Sequence, residues 1–153
     1  MQVLGIRTSS KCVRYATVNL DGGTATLVNA DSENKLVFPA DCAEISQKLK
    51  WLYSELERIY RKYPGISKVA VKMNQFGTEQ MANRFSTNMD GVVMLSALHN
   101  GKEVDTFLYA NMQKGMSSKN IQAFAKANVG RTDTYWNPQI ADAVAAAWVM
   151  GNK

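Results

Sequence analysis

Thiols and imidazoles are almost missing from this chain. Its two cysteines, Cys12 and Cys42, stand at no spacing that ligates a metal and make a poor disulfide framework, so reduced, buried or incidental thiols are the simpler account. The single histidine, His99, has no cysteine near it in sequence, which excludes a mixed Cys/His metal centre. In His99-Asn100-Gly101 it reads instead as part of a helix C-terminus. Ser9, Ser10, Cys12 and Cys42 lack an adjacent base, so no activated nucleophile is legible. Long hydrophobic runs are missing too. None approaches the roughly 20 apolar residues of a membrane span, and the N-terminus has no basic start leading into an apolar run. A cytoplasmic protein with no membrane partner is expected. Repeats, low-complexity tracts and flexible linkers are also absent.

What is present is enough for one domain. The 153 residues, 46% of them hydrophobic, can bury one sizeable core but not two, so a single domain over 1-153 is expected. Eighteen Lys and Arg against thirteen Asp and Glu give a net charge of +5, which favours polyanionic partners without requiring one.

Patterning along the chain predicts three strands first. Val3–Thr8 and Lys11–Leu20 are joined by a short polar turn, and Asp21-Gly22-Gly23 supplies the positive φ of a tight hairpin into Thr24–Ala30. Asp41 and Glu44 read as a helix N-cap pair. Ile45, Leu49, Leu52, Leu56, Ile59 and Tyr63 then recur every three or four residues until Pro64-Gly65 ends the helix. Its outer lysines and arginines read as a solvated face. Lys68–Met73 is a strand covered on both faces, and Gly77–Asn100 is helical, with Gly91 placed to let that helix sit close against the sheet. Lys102–Ala110 is the fifth strand. Ser117 or Ser118 is expected to cap a short helix through Ala127, and Asn137-Pro138 to open the last one, whose alanine-rich face suits close packing. The β-β-β-α-β-α-β-α-α order gives an α/β fold, a five-stranded mixed sheet flanked by helices.

The order and the details resemble the ribonuclease H fold, and within it the RuvC-type Holliday junction resolvases, over nearly the whole chain. In that family the first strand runs into Gly-Ile-Asp and a Gly-Ser turn; here it is Val3-Leu4-Gly5-Ile6-Arg7-Thr8-Ser9-Ser10. A glutamate follows Val-Ala-Ile in the family's fourth strand, where this chain has Val69-Ala70-Val71-Lys72. Gly91-Val92-Val93 and Tyr109-Ala110 match a Gly-Val run and a Tyr-Ala pair. The closing helix of the family opens with Asn-Pro and holds two aspartates three residues apart; here Asn137-Pro138-Gln139-Ile140-Ala141-Asp142-Ala143 stands in that place.

The resemblance implies a four-carboxylate site holding two divalent cations, and here this sequence departs from it. The four positions become Arg7, Lys72, Gln139 and Asp142, a set of net charge +1 where hard cations need anionic oxygens. One carboxylate cannot hold two metals, and the two cations repel them. An ion pair from Asp142 to Arg7 or Lys72 would neutralise the remaining acid. Asp90, Glu79, Glu103, Asp105 and Asp133 fall at no spacing that places them beside Asp142 and read as surface acids. The expectation is a nuclease-inactive RuvC-like domain, a pseudoenzyme with no cofactor and no metal, that binds branched or structured DNA or RNA.

The candidate contacts are Arg7, Lys72, Lys114, Lys119 and Arg131. Asn111–Asn120 resembles a polar resolvase segment near DNA, with lysines and a helix N-terminus able to hold phosphates, although an ordinary capped loop explains it equally. Arg131 stands near Tyr135 and Trp136, a composition that suits base stacking or rings packed beneath the last helix. Two rival readings stay open. One is a protein-interaction or regulatory module on the same scaffold, using its methionines as an adaptable surface; the other is a divergent metal-dependent nuclease with a relocated site. Analogy with resolvases also implies a homodimer.

Overall fold

Alternation along three central strands divides the core in two. The computed structural model describes residues 1–75 and 80–153. Val3 of β1 (Gln2–Thr8), Ala16 and Val18 of β2 (Val13–Asp21) and Ala70 of β5 (Ile66–Lys72) face one side. Leu4, Ile6, Val13, Tyr15, Val69 and Val71 face the other. Against the first side pack α3 (Tyr109–Met116), α4 (Ile121–Asn128) and α5 (Pro138–Gly151); against the second pack α1 (Ile45–Lys62) and α2 (Met81–His99). With β3 (Thr24–Leu27) and β6 (Glu103–Phe107) the sheet order is β3-β2-β1-β5-β6. The β1–β2 and β2–β3 pairs are antiparallel, the β1–β5 and β5–β6 pairs parallel. This is the expected α/β mixed sheet flanked by helices. A sixth strand, β4 (Lys35–Leu36), pairs with the start of β2.

Local chemistry explains where the elements start and stop. Gly22 and Gly23 have φ of 56° and 85°, the conformation a two-residue hairpin turn requires. Strand β3 ends three residues earlier than expected because the buried Asn29 side chain takes over the pairing: its Oδ1 accepts from Thr17 N at 2.8 Å, and its Nδ2 donates to Tyr15 O at 3.2 Å. The cap of α1 is Glu44, not Asp41, with its N–H donated to Gln47 Oε1 at 3.0 Å. The last helix opens as expected, Asn137 Oδ1 accepting from Ile140 N at 2.9 Å with Pro138 following. The expected start of the long helix at Gly77, like Glu79, lies outside the described residues. No described helix is long and apolar enough to cross a membrane.

The expectations for the segment after β6 and for Gly91 are overturned. Strand β6 stops at Phe107 because Asn111 Oδ1 accepts from Leu108 N at 3.0 Å and closes the first turn of α3. Most of the expected polar loop is therefore a helix, with Met112 and Met116 buried one turn apart. The following helix, α4, is capped by Asn120, whose Oδ1 accepts from Ala123 N at 3.0 Å, rather than by Ser117 or Ser118. Gly91 is exposed on α2 with open space where a Cβ would go. The close approach of helix to sheet occurs at Gly5 instead: a Cβ there would lie 1.8 Å from Ala143 O and 3.0 Å from Ala147 Cβ. Small residues on both sides bring α5 down onto the central strand.

Candidate functional site

That contact sets the position of Asp142. With Gly5 held against Ala143, the neighbouring Asp142 lies over Arg7, two residues along the same face of β1. Arg7 Nε donates to Asp142 Oδ2 at 3.2 Å, and Tyr109 Oη donates to the same oxygen at 2.7 Å. The carboxylate is only 3% exposed. Lys72 is the direct neighbour of Arg7 in the β1–β5 register and is fully buried. Its Nζ donates to Met73 O and sits 3.9 Å from the centre of the Tyr109 ring, a cation–π contact that replaces part of the lost hydration.

A second carboxylate reaches Arg7 indirectly. Arg7 Nη1 donates to Asn74 Oδ1, and Asn74 Nδ2 donates to Thr8 Oγ1 at 2.9 Å and to Asp90 Oδ2 at 3.1 Å. Thr8 Oγ1 completes the circuit by donating to Asp90 Oδ1 at 2.5 Å. Asp90 is buried, so its expected place as a surface acid is overturned. The signal was in the sequence, because Ser86, Asp90, Val93 and Ala97 fall at helical spacing on the buried stripe of α2. Thr8, Asn74 and Tyr109 carried no such signal, since only the fold brings them to Arg7.

Burial governs the protonation of these groups. It pushes the Asp142 carboxyl upward, and the Tyr109 hydroxyl with the charges of Arg7 and Lys72 works against it. Asp90 is likewise raised by burial and held back by Thr8 and Asn74. Burial raises the Tyr109 phenol, and its bond to Asp142 adds to that. Lys72 is lowered to about 8, by burial first and then by repulsion from Arg7, with Asp142 and Asp90 opposing.

Lys72 should therefore register in the pH dependence of stability. Its folded pKa lies below its unfolded one, so between about pH 8 and about 10.5 the unfolded chain holds more protons and stability rises with pH. Lys72→Met is expected to abolish that rise and to stabilise the protein by about 2 kcal/mol at pH 7. Urea unfolding at pH 7 and pH 9.5 reads both effects; a variant less stable than the parent at pH 7, with the same pH slope, contradicts the assignment.

The remaining candidates divide between surfaces. Lys119 shares a cleft of about 560 Å³ with Tyr109, Asn120 and Asp142. Lys114 lines a different depression, beside Asp105 and Lys153. Arg131 is exposed and donates to Thr132 O at 3.3 Å. Its neighbour Trp136 packs on the core, whereas Tyr135 is 51% exposed. Gln139, two residues past the cap of α5, makes no hydrogen bond to Arg7, Lys72 or Asp142. Glu103 lies 3.7 Å from Lys68, Asp105 is bonded to Lys153, and Asp133 is exposed, leaving these three at the surface as expected. Cys12 and Cys42 are both free.

The donor set does not fit a divalent cation. Asp142 Oδ2 already accepts from a guanidinium and a phenol, a buried ammonium lies behind it, and no group of three or more metal-ligating side chains assembles among the described residues. The arrangement can hold anions or stay closed on itself.

The fold is RuvC-like. No family model and no curated protein matches the chain, but solved structures of Holliday junction resolvases superpose on it. RuvC of Thermus thermophilus, solved in complex with a Holliday junction substrate, is 15% identical at a TM-score of 0.81, covering 99% of this chain and 93% of its own. The yeast mitochondrial Holliday junction resolvase is 10% identical at 0.65, covering 96% and 75%. The fowlpox virus resolvase, solved with Holliday junction DNA, is 13% identical at 0.56 and covers 99% of each chain.

Proposed function

We propose that this chain is a nuclease-inactive RuvC-like domain that binds branched or structured nucleic acid without metal-dependent cleavage. The observation that carries the reading is the ion pair of Arg7 with Asp142, backed by the buried Lys72, at three of the four places where the sequence resemblance puts carboxylates. A guanidinium and an ammonium there supply fixed positive charge where two-metal chemistry needs anionic ligands. The fold it shares with proteins solved on Holliday junctions, the net charge of +5 and the exposed Lys119 at the mouth of the Asp142 cleft support nucleic acid as the partner. Arg7 and Lys72 act chiefly by closing the site, since both are engaged internally.

Gel-shift and cleavage assays with a four-way junction, duplex and single strands, each with Mg²⁺, Mn²⁺ or EDTA, test this. Junction binding is expected to be unchanged by EDTA, to yield no cleaved product, and to weaken at least tenfold between about 50 and 200 mM salt, as counterion release demands. Products that disappear in Asp142→Asn would overturn the inactive assignment.

A second reading, an interaction module on the same scaffold, is favoured by Leu95 and Leu98, 53% and 64% exposed and three residues apart on α2. That face suits a protein partner or a second copy of the chain. Salt-insensitive self-association without binding to any of the nucleic acids would select it.

A further inference from the structure

On the side of Arg7 away from Lys72 a further cation is buried, and among the described residues no carboxylate bonds to it. Arg14 is the direct neighbour of Arg7 in the β1–β2 register and lies on the same face of the sheet. It is only 7% exposed. Among the described residues its guanidinium has one hydrogen-bond acceptor, Asn34 Oδ1 at 2.9 Å, and its Nε is buried with no partner. Arg7, by contrast, has Asp142. Burying a guanidinium without an opposing charge is costly, so Arg14 stands ready for an anion.

The surroundings specify what kind. Arg14 lines a cleft of about 460 Å³ with Asn34, Lys35, Thr134 and Tyr135. Lys35, its register partner on β4, is exposed and adds a second positive charge. The Tyr135 ring covers the guanidinium, 4.9 Å from its centre to Cζ, and is itself 51% exposed. A cation beneath one face leaves the other free to stack. Glu33 is the acid in the cleft wall; its Oε1 already accepts from Tyr15 Oη at 2.6 Å and from Arg58 Nη2 at 2.7 Å, and against the cost of burial these bonds keep it ionised and its charge paired with Arg58. Positive charge for a phosphate and a bare aromatic face for a ring, in a space large enough for one of each, describe a nucleotide.

We infer that the Arg14–Lys35–Tyr135 cleft binds an unpaired nucleotide, its phosphate held by Arg14 and Lys35 and its base stacked on Tyr135. The inference rests on the nucleic-acid reading for the identity of the anion, but uses none of the residues around Asp142.

NMR titration of the whole chain with tetrathymidylate, with thymidine and with inorganic phosphate tests the site, alongside junction binding by the parent, Lys35→Ala and Tyr135→Leu. Saturable shifts of the Arg14 Nε–Hε and Tyr135 resonances are expected with tetrathymidylate. Inorganic phosphate should move the Arg14 signal alone, and thymidine neither at equal concentration. Tyr135→Leu, an exposed position, should weaken tetrathymidylate about tenfold, the scale of one stacked base. If the parent binds junctions while Arg14 and Tyr135 stay unmoved and Tyr135→Leu binds as well as the parent, the cleft is not the site and the broader reading survives. Shifts with tetrathymidylate but no junction binding would keep the nucleotide site and remove the branched partner. No binding of either kind overturns both.

Discussion

Gly5→Ala is expected to prevent this chain from reaching its native packing. The added methyl would lie 1.8 Å from the carbonyl oxygen and 2.8 Å from the carbonyl carbon of Ala143, distances no rotamer change can relieve because the atoms met are backbone. Helix α5 would have to lift off β1 by more than about 1 Å along a face now made of Ala143, Ala146, Ala147 and Met150, all essentially buried. Overpacking costs about 1–3 kcal/mol even where side chains can adjust, and only backbone movement is available here, so a loss above about 4 kcal/mol is expected. Expression in the soluble fraction and a urea transition read it out. Gly91→Ala is the control: that Cβ meets nothing within 4 Å, and alanine in an exposed helix interior should be neutral or stabilise by up to about 1 kcal/mol. A Gly5→Ala protein as stable as the parent would mean that α5 does not sit where described.

The second large effect is expected at Asp142. Asp142→Asn preserves the shape and leaves the guanidinium of Arg7 and the ammonium of Lys72 facing each other with their shared counter-charge gone. Removing one partner of a buried pair costs about 3–5 kcal/mol. Some exposure of Arg7, 15% for its side chain, favours the low end, about 3 kcal/mol and a drop of about 6–12 °C in Tm for a chain of this size. Replacing both members, as in Arg7→Met with Asp142→Leu, should restore part of the loss, because it removes the stranded guanidinium and its repulsion of Lys72 while Lys72 stays without its counter-charge. Calorimetry of Arg7→Met, Asp142→Leu and the double variant closes the cycle. A single Asp142→Asn variant within about 0.5 kcal/mol of the parent would show that the ion pair holds nothing together.

What the sequence disclosed of this architecture was what neighbours in the chain decide. The Gly22-Gly23 hairpin and the Asn137-Pro138 helix start are written within four residues, and both are in place. The helix of Ile45 to Tyr63 was equally legible because its apolar stripe repeats every turn. Misreadings came where two local signals compete: Tyr109-Ala110 has strand character, yet Asn111, two residues on, closes a helical turn. Gly91 suggests the close approach because glycine inside a helix invites that reading. The residue that makes it, Gly5, sits in a strand, and nothing near it announces the alanines of α5.

The site was half legible for the same reason. Arg7, Lys72 and Asp142 came together through a resemblance that spans the chain. Asn74 and Tyr109, which tie them to Asp90 and to each other, lie 67 and 33 residues from the groups they bond, and such distances leave no trace in periodicity. Asp90 lay on a readable stripe, but an acid on a buried face reads as an exception until its partners are known.

The contact between β1 and α5 also bears on how the molecule is made. Strand β1 precedes the other elements of this fold and the helix that covers one of its faces follows them, so during translation that face, with the charge of Arg7 on it, stays bare until α5 emerges. Pairing of β1 with β2 and β5 and packing of α1 and α2 beneath them can proceed meanwhile, giving a half-covered sheet that holds one completed core and one open one. Final closure then waits on a long-range event, the arrival of Ala143 over Gly5, and nascent chains halted before α5 should be the species most in need of a chaperone.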